Sequence, residues 1–381
     1  KMEYKKINEL TTVVTGGTPS TRKNEYWDNG DIPWLQSGCC QNCDVDSTEK
    51  YITKEGYNNS STHMMSADTV MIALTGATAG KVGYLKFEAC GNQSITGILP
   101  CESLNQRYLF FYLLSQREKI LADCVGGAQA HISQSYVKNM TIPILAIKEQ
   151  EQIVGELTKV SNIVSLRQEE IQQLDNLVKA RFVEMFGDCT NMISLSELCL
   201  IITDGTHQSP KFQHDGIPFI LVSNLSKNTV TYDTDKFISA ETYKELYKRT
   251  PIEIGDILLS TVGSYGHPAV VVEDRKFLFQ RHIAYLKPKS DILNSYYMHG
   301  ALLSPGCQRQ IEEKVKGIAQ KTLNLSEIRK IRIPVPSLDL QKQYADFVHQ
   351  VNKSKFDTMT FAPIYAIINL YLHTYFYQGR R

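Results

Sequence analysis

The sequence predicts an α+β chain of two homologous α/β units, each followed by a long helix, with the helices packing as an antiparallel coiled coil. Three observations carry this: an internal repeat, a mixture of strand and helix patterns without regular βαβ alternation, and a seven-residue apolar stripe between the units. Of the 381 residues, 42% are hydrophobic and 21% charged. That composition excludes a disordered, collagen-like or purely coiled-coil protein.

The repeat has an offset of 185 to 191 residues. Ile32-Pro33-Trp34 recurs as Ile217-Pro218-Phe219, and the run from Asp68 to Gly76 recurs from Asp256 to Gly263. Asn92-Gln93-Ser94-Ile95 matches Gln280-Arg281-His282-Ile283, and Gly127-Ala128-Gln129 parallels Gly317-Ile318-Ala319-Gln320. Ile142-Pro143 echoes Ile333-Pro334, and Gln150-Glu151-Gln152-Ile153 echoes Gln341-Lys342-Gln343-Tyr344. Six matches in one order indicate a duplicated domain, because solenoid repeats run only ~20 to 50 residues.

The first unit, residues 1–148, holds short apolar runs such as TVMIALTG and SITGILP that read as strands, and QRYLFFYLLSQREKIL that reads as a helix. Residues 149–188 then lack proline and carry Leu157, Val164, Ile171, Val178 and Met185 at one heptad position. Ile153, Val160 and Leu174 stand at the other, broken by Arg167 and Arg181, and Gly187 sits where a C-cap belongs. At ~1.5 Å per residue this rod reaches roughly 55 Å. The second unit, residues 189–338, repeats the strand pattern in IPFILVSN, DILLSTVG and AVVVED. In residues 339–381, Tyr344, Val348 and Val351 continue the matching stripe for about three turns, after which Lys355 and Thr358 break it. An apolar, aromatic tail follows, interrupted by Pro363, Asn369 and His373, which argues against a membrane span.

Several kinds of chemistry are absent from this pattern. Gly76-Ala77-Thr78-Ala79-Gly80-Lys81 is one residue short of a phosphate loop, and Val82 stands where Ser or Thr would hold Mg²⁺. It reads as a glycine turn after a strand. Asp256 with Asp274-Arg275-Lys276 suggests a PD-(D/E)xK nuclease, but the first repeat has no counterpart. Histidines are scattered singly, without a triad arrangement. Cys40 and Cys43, next to Cys39, have the spacing of half a zinc site, with no second half. Nine cysteines and an N-terminus without an apolar core favour reduced thiols in the cytoplasm.

What remains is polar binding chemistry on loops. The candidates in the first unit are Thr18, Ser20, Arg22, Lys23, Gln36, Lys81, Gln93, Gln129 and His131. In the second they are Thr206, His207, Gln208, Lys211, Asn224, Tyr265, His267, Arg281, His282, Gln320 and Lys321. Such side chains read base edges or hold phosphates. Lys and Arg total 41 against 40 Asp and Glu, so bulk charge names no partner. Residues 149–188 carry 4 basic and 8 acidic residues, while 189–338 carry 18 and 15. An acidic rod is a poor DNA surface and better suited to spacing the units.

This layout resembles the specificity subunit of Type I restriction–modification systems. The resemblance rests on the paired TGGTPS and TDGTHQSP openings, the two IPW/IPF segments, TGATAGKVG, the Gly-x-Ala-Gln elements and the doubled Gln-x-Gln, and covers residues 7 to about 356. It implies two target recognition domains, each reading one half of a split double-stranded DNA site, with spacer helices setting the gap. It implies no cofactor and no catalysis in this chain. Two modification subunits would methylate adenine with S-adenosylmethionine, and restriction subunits would use ATP and Mg²⁺. The rival readings are a PD-(D/E)xK-like nuclease and an interaction scaffold that does not touch DNA.

Overall fold

The computed structural model describes residues 3–123, 131–317, 321–359 and 364–375. The chain forms two compact units, residues 1–167 with 361–381, and residues 168–360. In the first, five strands run in the order Val13–Thr15, Ile95–Ile98, Val70–Ala73, Val82–Leu85, Cys43–Val45. In the second, four run in the order Cys199–Asp204, Ile283–Pro288, Ile257–Ser260, Pro268–Val270. The orders are equivalent strand for strand, and Cys43–Val45 is an addition to the first unit. The central strands Val70–Ala73 and Ile257–Ser260 are buried along their whole length, which is why they read as unbroken apolar runs rather than alternating ones.

The Ile-Pro-aromatic segments found in the sequence are also equivalent. Ile32–Leu35 pairs antiparallel with Tyr51–Ile52 and parallel with Cys90–Gly91. Ile217–Ile220 pairs in the same way with Phe237–Ile238 and Leu278–Phe279. Each unit is closed by pairing its opening strand with its Ile-Pro strand, Glu3–Lys6 with Thr141–Ile144 and Met192–Ser194 with Arg332–Pro334.

The doubled Gln-x-Gln acts as a clamp within each unit. Gln150 and Gln341 are both fully buried. The side-chain oxygen of Gln150 accepts from the Asn105 N–H at 2.8 Å, and its Nε2 donates to the Leu145 carbonyl at 2.9 Å. Gln341 does the same for the Asn294 N–H at 2.9 Å and the Pro336 carbonyl at 3.0 Å. Asn105 and Asn294 cap the helices Gln106–Ser115 and Ser295–Leu303, so each clamp ties a helix start to the start of the next long helix. Tyr108 and Tyr297 complete the parallel, donating to the carbonyls of Pro143 and Pro334 at 2.9 and 2.5 Å.

The first long helix is Ile147–Phe186, 40 residues and about 60 Å. It ends where Gly187 was expected to end it, and a side chain there would run into the Val183 carbonyl. In the first unit its Ile153 and Leu157 are fully buried and Val160 and Val164 half-buried; in the second, Ile171, Leu174 and Val178 are half-buried. The stripe does not continue to Arg181 and Met185 as its main row. In the second unit the core-facing row is Val178, Phe182 and Phe186, at four-residue spacing. A straight helix drifts ~20° per heptad against a seven-residue repeat, and the aromatic pair one position further on takes the burial.

The second long helix, Leu338–Met359, has 22 residues and outruns the three turns read from its stripe. Tyr344 is fully buried, with Val348 and Val351 nearly so. The Tyr344 ring lies 5.4 Å from Phe182 and 5.7 Å from Phe186. Lys355, read as a break, instead forms an ion pair with Asp175 on the facing helix. Rising numbers on one helix thus meet falling numbers on the other, so within this unit the two run antiparallel. The aromatic tail also finds its place. Ile364–His373 is a helix whose Ile368 and Leu372 are buried in the core of the first unit, and Tyr371 donates a hydrogen bond to Glu156. Its apolar composition therefore reflects core packing. Among the described residues no helix is long and apolar enough to cross a membrane.

Candidate nucleic-acid interface

In each unit the same end of the sheet gathers the candidate loops. The chain leaves Val13–Thr15 at Gly16 and leaves Cys199–Asp204 at Gly205. Gly16 N–H donates to the Ile95 carbonyl at 3.2 Å, and Gly205 N–H to that of Ile283 at 3.1 Å. The next N–H groups, of Gly17 and Thr206, donate to Gly91 and Phe279 at 2.8 and 3.0 Å. A Cβ on Gly16 would collide with the Gly91 carbonyl, and one on Gly205 with that of Phe279. This close backbone approach explains the glycine of both opening motifs.

The two loops are held by different chemistry. In the first unit Trp34 Nε1 donates to the Gly17 carbonyl at 3.0 Å and Trp27 Nε1 to that of Ser20 at 3.2 Å, the two rings meeting edge to face at 5.0 Å. In the second unit Phe212 and Phe219 form the aromatic pair at 5.3 Å and have no N–H to give. There Asp204, at the strand end, binds Arg249 at 2.6 Å and His207 at 3.0 Å. The first loop is tied by neutral donors and the second by charge.

Thr18, Gln36 and Gln93 line one cleft of about 760 Å³, together with Asn24, Trp27, Asn29, Lys50, Tyr51 and Asn92. The Thr18 hydroxyl donates to Gln93 Oε1 at 2.5 Å. Ser20 and Arg22 are exposed on the same loop, and Lys23 donates to the Tyr26 hydroxyl at 2.9 Å. Lys81 donates to Gln41 at 2.6 Å, and His131 is exposed on a segment bridged to Thr75; neither lines that cleft. Gln129 and Gln320 lie outside the described residues.

In the second unit Thr206, His207, Gln208 and Lys211 line a cleft of about 430 Å³ with Arg249. Arg281 and His282 line a second, of about 460 Å³, with Asp204, Thr322 and Asn324. Arg281 Nε donates to His282 Nε2 at 3.3 Å, which places the imidazole proton on Nδ1. Burial, and then the neighbouring Arg281 charge, pull the His282 pKa down. Tyr265 is half-buried with the exposed Lys321 ammonium 5.8 Å from its ring centre. His267 is tied inward, its Nδ1 3.0 Å from Asn228 Oδ1.

Asn224 is a correction. It is 5% exposed, its Nδ2 donates to Thr231 and to the Asp233 carbonyl, and its Oδ1 accepts from Leu221 N–H. Both ends of the amide hold a turn, so it does not face outward. Asp256 is likewise 3% exposed, accepting from Tyr285 at 2.8 Å and from Glu253 N–H at 2.8 Å. Burial raises its carboxyl pKa, and Tyr285, the Glu253 N–H and, at 3.5 Å, the Lys287 ammonium already partner its two oxygens, which makes it a structural carboxylate. Gly76 and Gly80 adopt positive φ of 69° and 73° around a single 3₁₀ turn, as a glycine turn requires. Asp204 and Arg249 were not among the sequence candidates. The change from TGGT to TDGT between the duplicated openings was the sequence signal for the first of them.

Two copies of one α+β domain, each with a distinct loop set at the same sheet end and each tied to a long helix, define a duplicated recognition scaffold. A family profile described as the Type I restriction modification DNA specificity domain matches residues 1–176 and again residues 190–363, and the chain belongs to that family. Over 170 residues it is 32% identical to the Type I restriction enzyme EcoR124I/EcoR124II specificity subunit of Escherichia coli, covering 43% of this chain and 42% of that one. The match therefore spans less than half of that relative. Over 374 residues it is 23% identical to the MjaIX specificity subunit of Methanocaldococcus jannaschii, covering 91% of this chain and 85% of the relative. Its fold is similar to the crystal structure of the Type I restriction–modification S subunit from M. genitalium, with a TM-score of 0.50 and 15% identity over 98% of this chain and 94% of that one.

Proposed function

We propose that this chain is the DNA reader of a Type I restriction–modification complex. Each unit reads one half of a bipartite double-stranded target, and the long helices set the number of unread base pairs between the halves. One observation carries the reading: the framework of strands, Gln clamps and Tyr–carbonyl bonds is duplicated, while the loops at the matching sheet end are not. An amide- and Trp-lined cleft stands in one unit, and Asp204 with Arg249, His207, Arg281 and His282 in the other. Different donor and acceptor patterns suit different half-sites.

The chain itself would carry out no chemistry. Two modification subunits would dock on it and transfer a methyl group from S-adenosylmethionine to adenine N6. The restriction subunits would bring the ATP- and Mg²⁺-dependent steps, all in the cytoplasm. Because the reacting adenine must leave the base stack, its pocket belongs to the modification subunit. The test is a domain exchange in the complex with its modification subunit: replacing residues 1–148 by the first unit of another family member changes one half of the methylated motif. A change in both halves, or in neither, overturns the assignment of one half per unit.

A further inference from the structure

Thr15 and Asp204 occupy the same position of the duplicated sheet. Thr15 lies opposite Thr96 and Asp204 opposite Ala284, each one residue before the glycine that leaves the strand. In the first unit the position is neutral and closed, the Thr15 hydroxyl being buried without a hydrogen-bond partner. In the second it is a carboxylate whose side chain is 18% exposed and faces the cleft of about 460 Å³. Arg281, His282, Thr322 and Asn324 line the same cleft.

The carboxylate is fixed from one side and open on the other. Arg249 at 2.6 Å and His207 at 3.0 Å hold it, and both are lining residues of the neighbouring cleft. An ionised carboxylate offers about four acceptor positions and no donor, so these two partners leave acceptor capacity toward the open cleft. A carboxylate repels phosphate. Its nucleic-acid partner must therefore be a hydrogen-bond donor, and in the major groove the donors on base edges are the exocyclic amines of cytosine and adenine. The exposed Arg281, whose backbone N–H is fixed on the Thr206 carbonyl at 3.1 Å, supplies the compensating positive charge on the cleft rim.

We propose that Asp204 is a specificity-determining residue of the second unit, accepting a hydrogen bond from the exocyclic amine of cytosine or adenine at one position of its half-site. This rests on the DNA-reading function proposed above. The test compares the wild-type chain with Asp204→Ala and Asp204→Asn, each in complex with its modification subunit, by mapping methylated sites genome-wide. The expected result is relaxation at one base pair of one half, with the preference there falling roughly tenfold and the other half unchanged. A G·C pair at the relaxed position assigns cytosine, and an A·T pair assigns adenine.

An unchanged motif, with or without uniformly weaker methylation, overturns the proposal and leaves Asp204 as a clamp for its loop. Asp204→Asn keeps the shape and decides the matter if the alanine variant fails to assemble. Arg249→Gln removes the anchor but keeps the carboxylate, so it should weaken methylation without relaxing that position; relaxation at the same position in this variant alone would move the assignment to Arg249. A wild-type complex with no two-part motif overturns the reader function, and this assignment with it.

Discussion

Gln150 and Gln341 show what a short motif means once its partners are known. Each amide satisfies a helix-cap N–H and a carbonyl in a site closed to water. Replacing either by leucine orphans both groups, at a cost of about 1–3 kcal/mol for each. The melting temperature should fall by several degrees in Gln150→Leu or Gln341→Leu, measured by thermal unfolding. The exposed second glutamines give the contrast: Gln152→Leu and Gln343→Leu should shift it by less than a degree or so. Equal effects at the first and second glutamines would contradict the clamp. Gly16→Ala should be destabilising as well, because its Cβ meets a backbone oxygen that a strand pairing holds in place. At this scale the motif was legible and its role was not, since the partners of Gln150 lie 45 and 5 residues away and only folding brings them together. Asn224 was misread for the same reason: a loop amide looks alike in sequence whether it faces outward or holds a turn.

At the scale of the element, the long helix was legible from its freedom from proline, its heptads and its terminal glycine. The burial at its C-terminal end was not. Phe182 sits among Phe186, Tyr297 and Tyr344, with ring centres 5.0 to 5.5 Å away. Arg181, on the heptad track, is half-buried and pairs with Glu184. Phe182→Ala should therefore cost about 3–5 kcal/mol, and Arg181→Ala under about 1 kcal/mol, as read from chemical denaturation. The reverse order would restore the simple heptad. The tail from Ile364 escaped sequence reading because the core it enters belongs to the first unit, far away along the chain. Within the first unit Ile368 and Leu372 enter the core, much as Phe182 and Phe186 enter that of the second.

For the whole molecule, the duplication was the most legible property, because six ordered matches survive where the loops have diverged. The pairing of Asp204 with Arg249 was not legible, being a contact across 45 residues with no counterpart in the other repeat. The proposed division of labour makes a length prediction. Adding one heptad to the first long helix after residue 167, with seven residues also added at the other unit boundary after 360 so that the chain can follow, lengthens that helix by about 10 Å. The gap in the methylated motif should widen by about three base pairs with both half-sites unchanged, at ~3.4 Å per base pair. An unchanged gap in a methylating complex would remove the spacer role from the helices.

The most direct measurement is a genome-wide map of N6-methyladenine in cells that express the unaltered chain with its modification subunit. The duplicated framework with unlike loops predicts a two-part motif: two short, different half-sites separated by a fixed number of unspecified base pairs. A continuous motif, a palindrome of identical halves, or methylation without a motif would contradict it.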